Sequence, residues 1–462
     1  MSSQEFDLVV IGSGPAGQKA AICAAKLGKR VAISDRNRMV GGVCVHTGTI
    51  PSKTLREAIL HLTGFTQRTF YGQDYSLKEN ISIQDLTSRV NMIVSREAEV
   101  IRAQLKRNGV ALFEGVTRFT GAHSLEMEGQ DGAKAVRSAH ITIACGTRPA
   151  HSPEIPFDSK RILDTDQIAC LQRVPKEVIV VGAGVVGLEY SSFLAALGAK
   201  VTLIDQRPTM LDFVDREILE ALTYHLRRIG TTFRLGEKVI AAGIDAERDR
   251  VFAELESGKR VNADGLLYAV GRQANGDLLN LEAAGLQADA RGRIQVNQFF
   301  QTSVPHIYAV GDVIGFPALA STSMEQGRLS SCHMFGIPAL AMPELFPYGI
   351  YTIPEISMVG PTEEQLTAAR VPYEVGIAKY SELAKSVMLG DENGMLKILF
   401  ERKTLKLLAV HGIGERATEI IHIGQAVMYY GGTIEYFRDM VFNYPTLAEA
   451  YKVAALAGLN KL

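Results

Sequence analysis

Residues 6–11 form a short apolar run that stops at glycine, the pattern of a strand buried on both faces. The turn Gly12-Ser13-Gly14-Pro15-Ala16-Gly17 follows, then a helical stretch over residues 18–27 and a second strand over residues 29–35. The same order returns 170 residues later, counted from Gly12 to Gly182. A strand over residues 178–181 leads into Gly182-Ala183-Gly184-Val185-Val186-Gly187, a helix over 188–197 and a strand over 200–205. Two copies of one strand–helix–strand unit predict two nucleotide-binding domains in an α/β chain with two Rossmann-like halves. Residues 178–199 carry a single charge, Glu189, and are long enough to span a bilayer. Their early glycines, with Tyr190, Ser191 and Ser192, argue instead for strand, turn and helix, so no membrane contact is expected.

The rest of the pattern divides the chain further. Residues 141–149 read as a strand ending in a turn that contains Gly146 and Pro149, and the polar stretch 151–166 marks a boundary. Residues 266–275, passing through Gly271, look like a second copy of that ending, and residues 307–312 form a strand with Gly311 and Asp312 at its tip. Beyond residue 346 the character changes. Tyr351, Ile353, Ile356 and Met358 suggest strands, and residues 418–430 an apolar helix. The expected division is 1–150 for the first nucleotide domain, 151–271 for the second, 272–345 for a return to the first, and 346–462 for an α+β domain.

Composition narrows the function classes. The 462 residues suit about three domains. A net charge of −1 removes any electrostatic case for nucleic acid or anionic lipid. The 43 glycines exceed the usual share of about 7%, which directs attention to loops where backbone approaches a ligand. The five cysteines, Cys23, Cys44, Cys145, Cys170 and Cys332, make neither a CxxC pair nor a secreted framework and point to a reducing compartment, the cytoplasm. The acidic start of the chain does not read as a signal peptide. Neither an HExxH motif nor a P-loop occurs, and His46 lacks metal-ligand spacing, so no metal site is expected. Cys23 and Cys145 fall on an apolar helix and strand and read as core.

Each glycine turn has the context that a dinucleotide fingerprint requires: a strand before, a helix after, and an acid 23 residues beyond the first glycine, Asp35 and Asp205. In such turns Gly12 and Gly182 make the bend. Gly14 and Gly184 let backbone approach a pyrophosphate, and Gly17 and Gly187 allow close helix–strand packing. The pyrophosphate sits on the helix N-terminus, beside Pro15 in the first copy. Asp35 and Asp205 would accept from ribose hydroxyls, whereas Arg207 would suit a 2′-phosphate.

The segment from Met39 to Lys53, with Gly42, Cys44, Thr49 and Lys53, resembles the FAD-dependent pyridine nucleotide-disulfide oxidoreductase family over essentially the whole chain. Disulfide members carry Cys-x4-Cys here, but this chain has Cys44 and Thr49. One thiol cannot form the intramolecular disulfide that relays electrons to a dithiol. Disulfide members also carry His-Pro-Thr-x-x-Glu near the end. Here Tyr444 stands at the histidine position in Asn443-Tyr444-Pro445-Thr446, with Glu449 following. A phenol that ordinarily titrates near pH 10 is a poor proton carrier at neutral pH. Together the two departures resemble the soluble transhydrogenase branch of that family.

The resemblance implies FAD on the first domain and NAD or NADP as substrates on the second. It implies that Asp312 holds the flavin ribityl chain and that the helix near Ala320 points at the flavin pyrimidine. It further implies that Lys53 pairs with Glu189 beside the flavin. Gly146, Gly271 and Gly311 would line the cofactor, and residues 346–462 would form a homodimer or a larger homo-oligomer. The implied activity is ping-pong hydride exchange, NADPH to flavin N5 and then to NAD, with Lys53 and Glu189 as the catalytic pair; Cys44 reads as an inert leftover near the flavin, with a reactive thiol as the alternative. A quinone or dye reductase on the same scaffold, or a catalytically silent flavoprotein sensor, would carry the same motifs.

Overall fold

The stretch Gln4–Ile11 carries no polar residue from Leu8 onward, which suits a strand covered on both faces, and it lies inside its sheet. In the computed structural model it pairs in parallel with Val31–Asp35 on one side and Gly132–Ile143 on the other. Ala111–Gly121 pairs in parallel with Val31–Asp35, Ile307–Ala309 pairs in parallel with Gly132–Ile143, and Ser124–Gly129 bridges Ala111–Gly121 to Gly132–Ile143 in antiparallel pairing. The structure describes residues 4–36, 39–130, 132–168, 171 and 173–462; Cys170 lies outside them. The chain forms two bodies, one built from residues 1–55, 87–150 and 271–343, the other from 56–86, 151–270 and 344–462.

The core of the first body lies on both faces of the sheet. Val9, Ile11, Ile141 and Ile143 pack on one face, and Leu8, Val10 and Ile33 pack on the other against Ala16, Ala20 and Ala24 of the Pro15–Lys26 helix. In the second body a parallel sheet has the order 231–235, 200–205, 177–181, 265–268, 162–164. The same body holds an antiparallel sheet in the order 348–350, 356–359, 407–413, 395–401, 373–379. The Ala417–Tyr429 and Glu449–Leu459 helices contribute to the core beside that sheet. Among the described residues no helix is long and apolar enough to cross a membrane. The apolar stretch around Glu189 divides into the strand Glu177–Val181 and the helix Val185–Ala196.

Several elements differ from the pattern reading for local reasons. The two fingerprint helices start at Pro15 and Val185, three residues early, because extended Gly14 and Gly184 act as their caps and proline suits the first helical position. The strand within residues 141–149 ends at Ile143, and the turn expected to run on to Pro149 is confined to the residues around Gly146. The chain breaks at Gly146, whose φ of 62° is left-handed, and resumes as Thr147–Pro149. Residues 266–275 break likewise at Gly271, and residues 307–312 end their strand at Ala309 before a short helical turn at Gly311–Ile314. Tyr351 and Ile353 are not in a strand. Their N–H groups donate instead to the Glu189 carboxylate at 2.9 Å and the Ser192 hydroxyl at 3.0 Å.

Candidate functional site

The first glycine turn is built by exclusion. At Gly12, φ is 107°, and an added Cβ would stand 2.2 Å from the Ala144 carbonyl oxygen. At Gly17 a Cβ would stand 1.9 Å from the Gly12 oxygen, so only glycine lets the helix pack on the turn. Gly14 faces open space, and no side chain caps its helix. A bare helix N-terminus with room in front of it is a seat for an anion. Gly42 closes one side, since a Cβ there would lie 3.1 Å from the Gly14 Cα. Asp35 fastens the turn: its Oδ2 accepts from the Ser13 N–H at 2.7 Å and from the Ser13 hydroxyl. The same hydroxyl accepts from the Gly41 N–H at 2.9 Å. Ser13 thus ties together three pieces of the turn, a role its sequence position did not announce. Burial pushes the Asp35 carboxyl up to about 6 against the pull of these bonds.

The second turn repeats the design. Gly182 has φ 104°, a Cβ on Gly187 would stand 1.8 Å from the Gly182 oxygen, and Gly184 faces open space. Asp205 accepts from the Ala183 N–H at 2.6 Å, the counterpart of the Ser13 bond. Here the acid has a second partner. Arg207 donates from its backbone N–H at 2.8 Å, from Nε at 3.0 Å and from Nη2 at 2.8 Å. Burial would raise the Asp205 carboxyl, but the Arg207 guanidinium and these N–H donors hold it below the usual carboxylate range. Asp35 and Asp205 therefore share a position and shift in opposite directions: burial prevails at Asp35, and the Arg207 and Ala183 donors prevail at Asp205.

Elsewhere in the first body, Thr147–Pro149 pairs antiparallel with Arg272–Ala274, which brings the Gly146 and Gly271 turns to one ribbon. Arg272 donates to the Thr147 hydroxyl at 2.8 Å, and that hydroxyl donates to Asp312 at 3.3 Å. Burial raises the Asp312 carboxyl, with Arg272 and Thr147 opposing. Gly311, left-handed at φ 78°, donates to the Gln326 side chain at 2.8 Å. The helix that begins at Ala320 also lacks a side-chain cap. Pattern reading did not single out Thr147, Arg272 or Gln326, because a polar residue that holds a site residue carries no motif of its own.

Cys44 lies in the short helix Gly42–His46, and Thr49 begins the helix Thr49–Thr63. Burial pushes the Cys44 thiol up, while a hydrogen bond from Thr49 works the other way. His46 bonds to the Val40 carbonyl at 3.0 Å, a structural role. Lys53 donates to Ser52 at 3.3 Å. Glu189, in the second body, is buried and accepts from Tyr351 N–H. Tyr444 is 71% exposed, and Glu449 keeps a buried carboxylate oxygen without a hydrogen-bond partner among the described residues. Cys145 packs against the apolar core, whereas Cys23 is only half-buried. Asp215, Glu217 and Glu363 converge in the second body, but the fully buried Lys397 ammonium sits among them, 3.0 Å from Asp215 and 3.1 Å from Glu217 and bonded to Glu363.

Residues 6–327 match the pyridine nucleotide-disulphide oxidoreductase family, and residues 346–455 match the dimerisation domain of the same name. The chain is 54% identical over 461 residues to a soluble pyridine nucleotide transhydrogenase of Mycobacterium tuberculosis, covering 99% of this chain and 98% of that one. It is 46% identical over 465 residues to the protein of that name from Erwinia tasmaniensis, covering 100% and 99%. Among solved structures, an HOCl-induced flavoprotein disulfide reductase from Escherichia coli superposes with a TM-score of 0.88 at 26% identity, covering 98% and 99%. LpdA of Mycobacterium tuberculosis shares the fold, with a TM-score of 0.89 at 24% identity over 98% and 99%.

Proposed function

Because the chain belongs to the pyridine nucleotide-disulphide oxidoreductase family, we propose that it is an FAD-dependent transhydrogenase that moves hydride from NADPH to NAD. The observation that carries this reading is the pairing of Cys44 with Thr49 in a chain that also carries two complete glycine turns. The chain has what two dinucleotides need and lacks what a dithiol substrate needs.

The residues fit FAD. The open face of Gly14 and the uncapped helix start would receive its pyrophosphate, and Asp312 would hold its ribityl hydroxyls. Bound FAD supplies a reversible two-electron acceptor. The uncapped N–H groups at Ala320 would favour negative charge on the pyrimidine side. Gly182, Gly184 and Gly187 would seat either nicotinamide nucleotide in turn. Asp205 and Arg207 offer an acceptor for a 2′-hydroxyl and a donor for a 2′-phosphate at one strand tip. Lys53 and Glu189 would orient flavin and nicotinamide for transfer. The catalytic domains are proposed as 1–150 with 272–345 for FAD and 151–271 for NAD(P). Residues 346–462 would form a homodimer interface in a cytoplasmic enzyme. Exposed Tyr430, Val441 and Tyr444 supply the apolar surface such an interface requires.

The test is anaerobic. The flavin is reduced with stoichiometric NADPH, the product is removed and NAD is added. Reoxidation of the flavin with formation of NADH is the expected result. A flavin that stays reduced until a quinone is added would overturn the reading in favour of a quinone reductase.

A further inference from the structure

The Pro15–Lys26 helix and the Ala320–Met334 helix approach unusually closely. A Cβ on Gly327 would stand 2.0 Å from the Ala16 carbonyl oxygen. One turn on, the Ser331 hydroxyl donates to the Ala20 carbonyl at 2.9 Å. Both contacts advance together along the two chains, so the helices run parallel with small residues at the seam. The next pair along that seam is Cys23 and Cys332, whose sulfurs are 3.9 Å apart.

We propose that Cys23 and Cys332 are a disulfide-forming pair, oxidised by hydroperoxides, that ties these two helices together. The 3.9 Å between the sulfurs exceeds a disulfide bond of about 2.05 Å, so bond formation requires the two side chains to move together by roughly 2 Å. The chemistry divides between them by exposure. Cys23 is half-buried and can meet a small oxidant, whereas Cys332 is buried. The Arg328 guanidinium lies 3.7 Å from the Cys332 sulfur. Burial and the neighbouring Cys332 push the Cys23 thiol up to about 11, so Cys23 is protonated at neutral pH and its reaction with peroxide is slow.

The steps balance as follows. The Cys23 sulfur takes one oxygen from the peroxide O–O bond, giving a sulfenic acid and water for hydrogen peroxide. The Cys332 sulfur then attacks the Cys23 sulfur, the S–S bond forms, and hydroxide leaves with the Cys332 proton as a second water. Two thiols lose two electrons in total, and one peroxide gains them. The link would join the helix that follows the first glycine turn to the helix that begins at Ala320. It does not depend on which nucleotides the chain uses.

The experiment treats the purified flavin-loaded chain with hydrogen peroxide, alkylates it in denaturant and maps the peptides by mass. The expected result is a Cys23–Cys332 cross-linked peptide that disappears on reduction with a dithiol, with Cys44 and Cys145 still alkylated. In Cys332→Ser, Cys23 should instead be trapped by dimedone as the sulfenic acid. In Cys23→Ser, Cys332 should remain alkylatable. Bound flavin absorbance confirms that each variant is folded. Full alkylation of both cysteines after peroxide, or oxidation of Cys23 to sulfinic acid without a cross-link in the unsubstituted chain, would overturn the proposal. So would a Cys23 disulfide to another cysteine in Cys332→Ser.

Discussion

At the scale of the residue, chemistry is decided by neighbours. Cys44 is a thiol raised by burial, and its neighbour is the Thr49 hydroxyl where a second sulfur would complete a redox pair. Replacing that one oxygen should restore the missing pair. Thr49→Cys is expected to form a disulfide between Cys44 and the introduced thiol, visible as two extra electrons per chain in an anaerobic dithionite titration. Dihydrolipoamide oxidation should nevertheless stay at background, because Tyr444 offers no imidazole to carry the thiol proton. A steady-state assay of the variant with dihydrolipoamide tests that second half. Cys44→Ser, by contrast, should leave nucleotide exchange within about twofold, since a protonated buried thiol is a poor nucleophile. The pair Asp35 and Asp205 teaches the same lesson. Spacing placed both at equivalent positions, but only the structure revealed that each already holds its own turn, through Ser13 and Ala183.

At the scale of the element, the three glycines of a turn separate into fold and ligand roles. Gly17→Ala drives a Cβ into backbone, so it should cost about 1–3 kcal/mol and lower Tm even without cofactor. Gly14 has an ordinary φ of −61° and nothing within 4 Å of an added Cβ. Gly14→Ala should therefore leave the cofactor-free Tm unchanged and lose flavin, read as the ratio of flavin to protein absorbance. Equal losses of Tm in both variants would contradict this division. The helix Arg216–Arg228 carries a pH dependence of its own. Burial, then the Arg228 charge, pushes His225 from 6.5 down to about 4, and its buried Nε2 has no partner among the described residues. The folded form thus holds the imidazole neutral while the unfolded chain takes up a proton. Stability from this group is whole above pH 6.5, declines as pH falls toward 4 and is level below that. The total loss is on the order of 3 kcal/mol. His225→Gln should flatten the fall in Tm between about pH 7 and about pH 4.5.

At the scale of the whole molecule, the last domain leaves large apolar side chains exposed. Tyr430 is 84% and Val441 is 94% exposed, with Tyr444 near them in the chain. Glu449 adds a buried carboxylate oxygen without a partner among the described residues. Both features suit a surface completed by a second copy. Val441→Glu is expected to shift the sedimentation coefficient toward that of a single chain at micromolar concentration while flavin content is kept. An unchanged coefficient would place the interface elsewhere. Lys397 belongs to this scale too. Its neutral replacement, Lys397→Met, should cost roughly 3–5 kcal/mol in urea unfolding, because it strands buried Asp215 and its neighbouring acids without a counter-charge.

What the residues alone determined was whatever is encoded locally. The duplicated strand–turn–helix, the three glycines of each turn, the acid at the strand tip and the absence of a second cysteine are each read within a short stretch of chain. Backbone sterics and covalent chemistry give each a single meaning. Only the tertiary structure decided what depends on distant partners. Arg207 could have been a solvated side chain, and it is an ion pair. Tyr351 and Ile353 could have been strand, but residues 162 and 161 positions away take their N–H groups. Lys397 is a lone lysine in an apolar strand until Asp215, 182 positions away, is folded against it. Such groups carry no periodic signal because their partners are chosen by packing, and a buried polar group must find a partner wherever the fold places one.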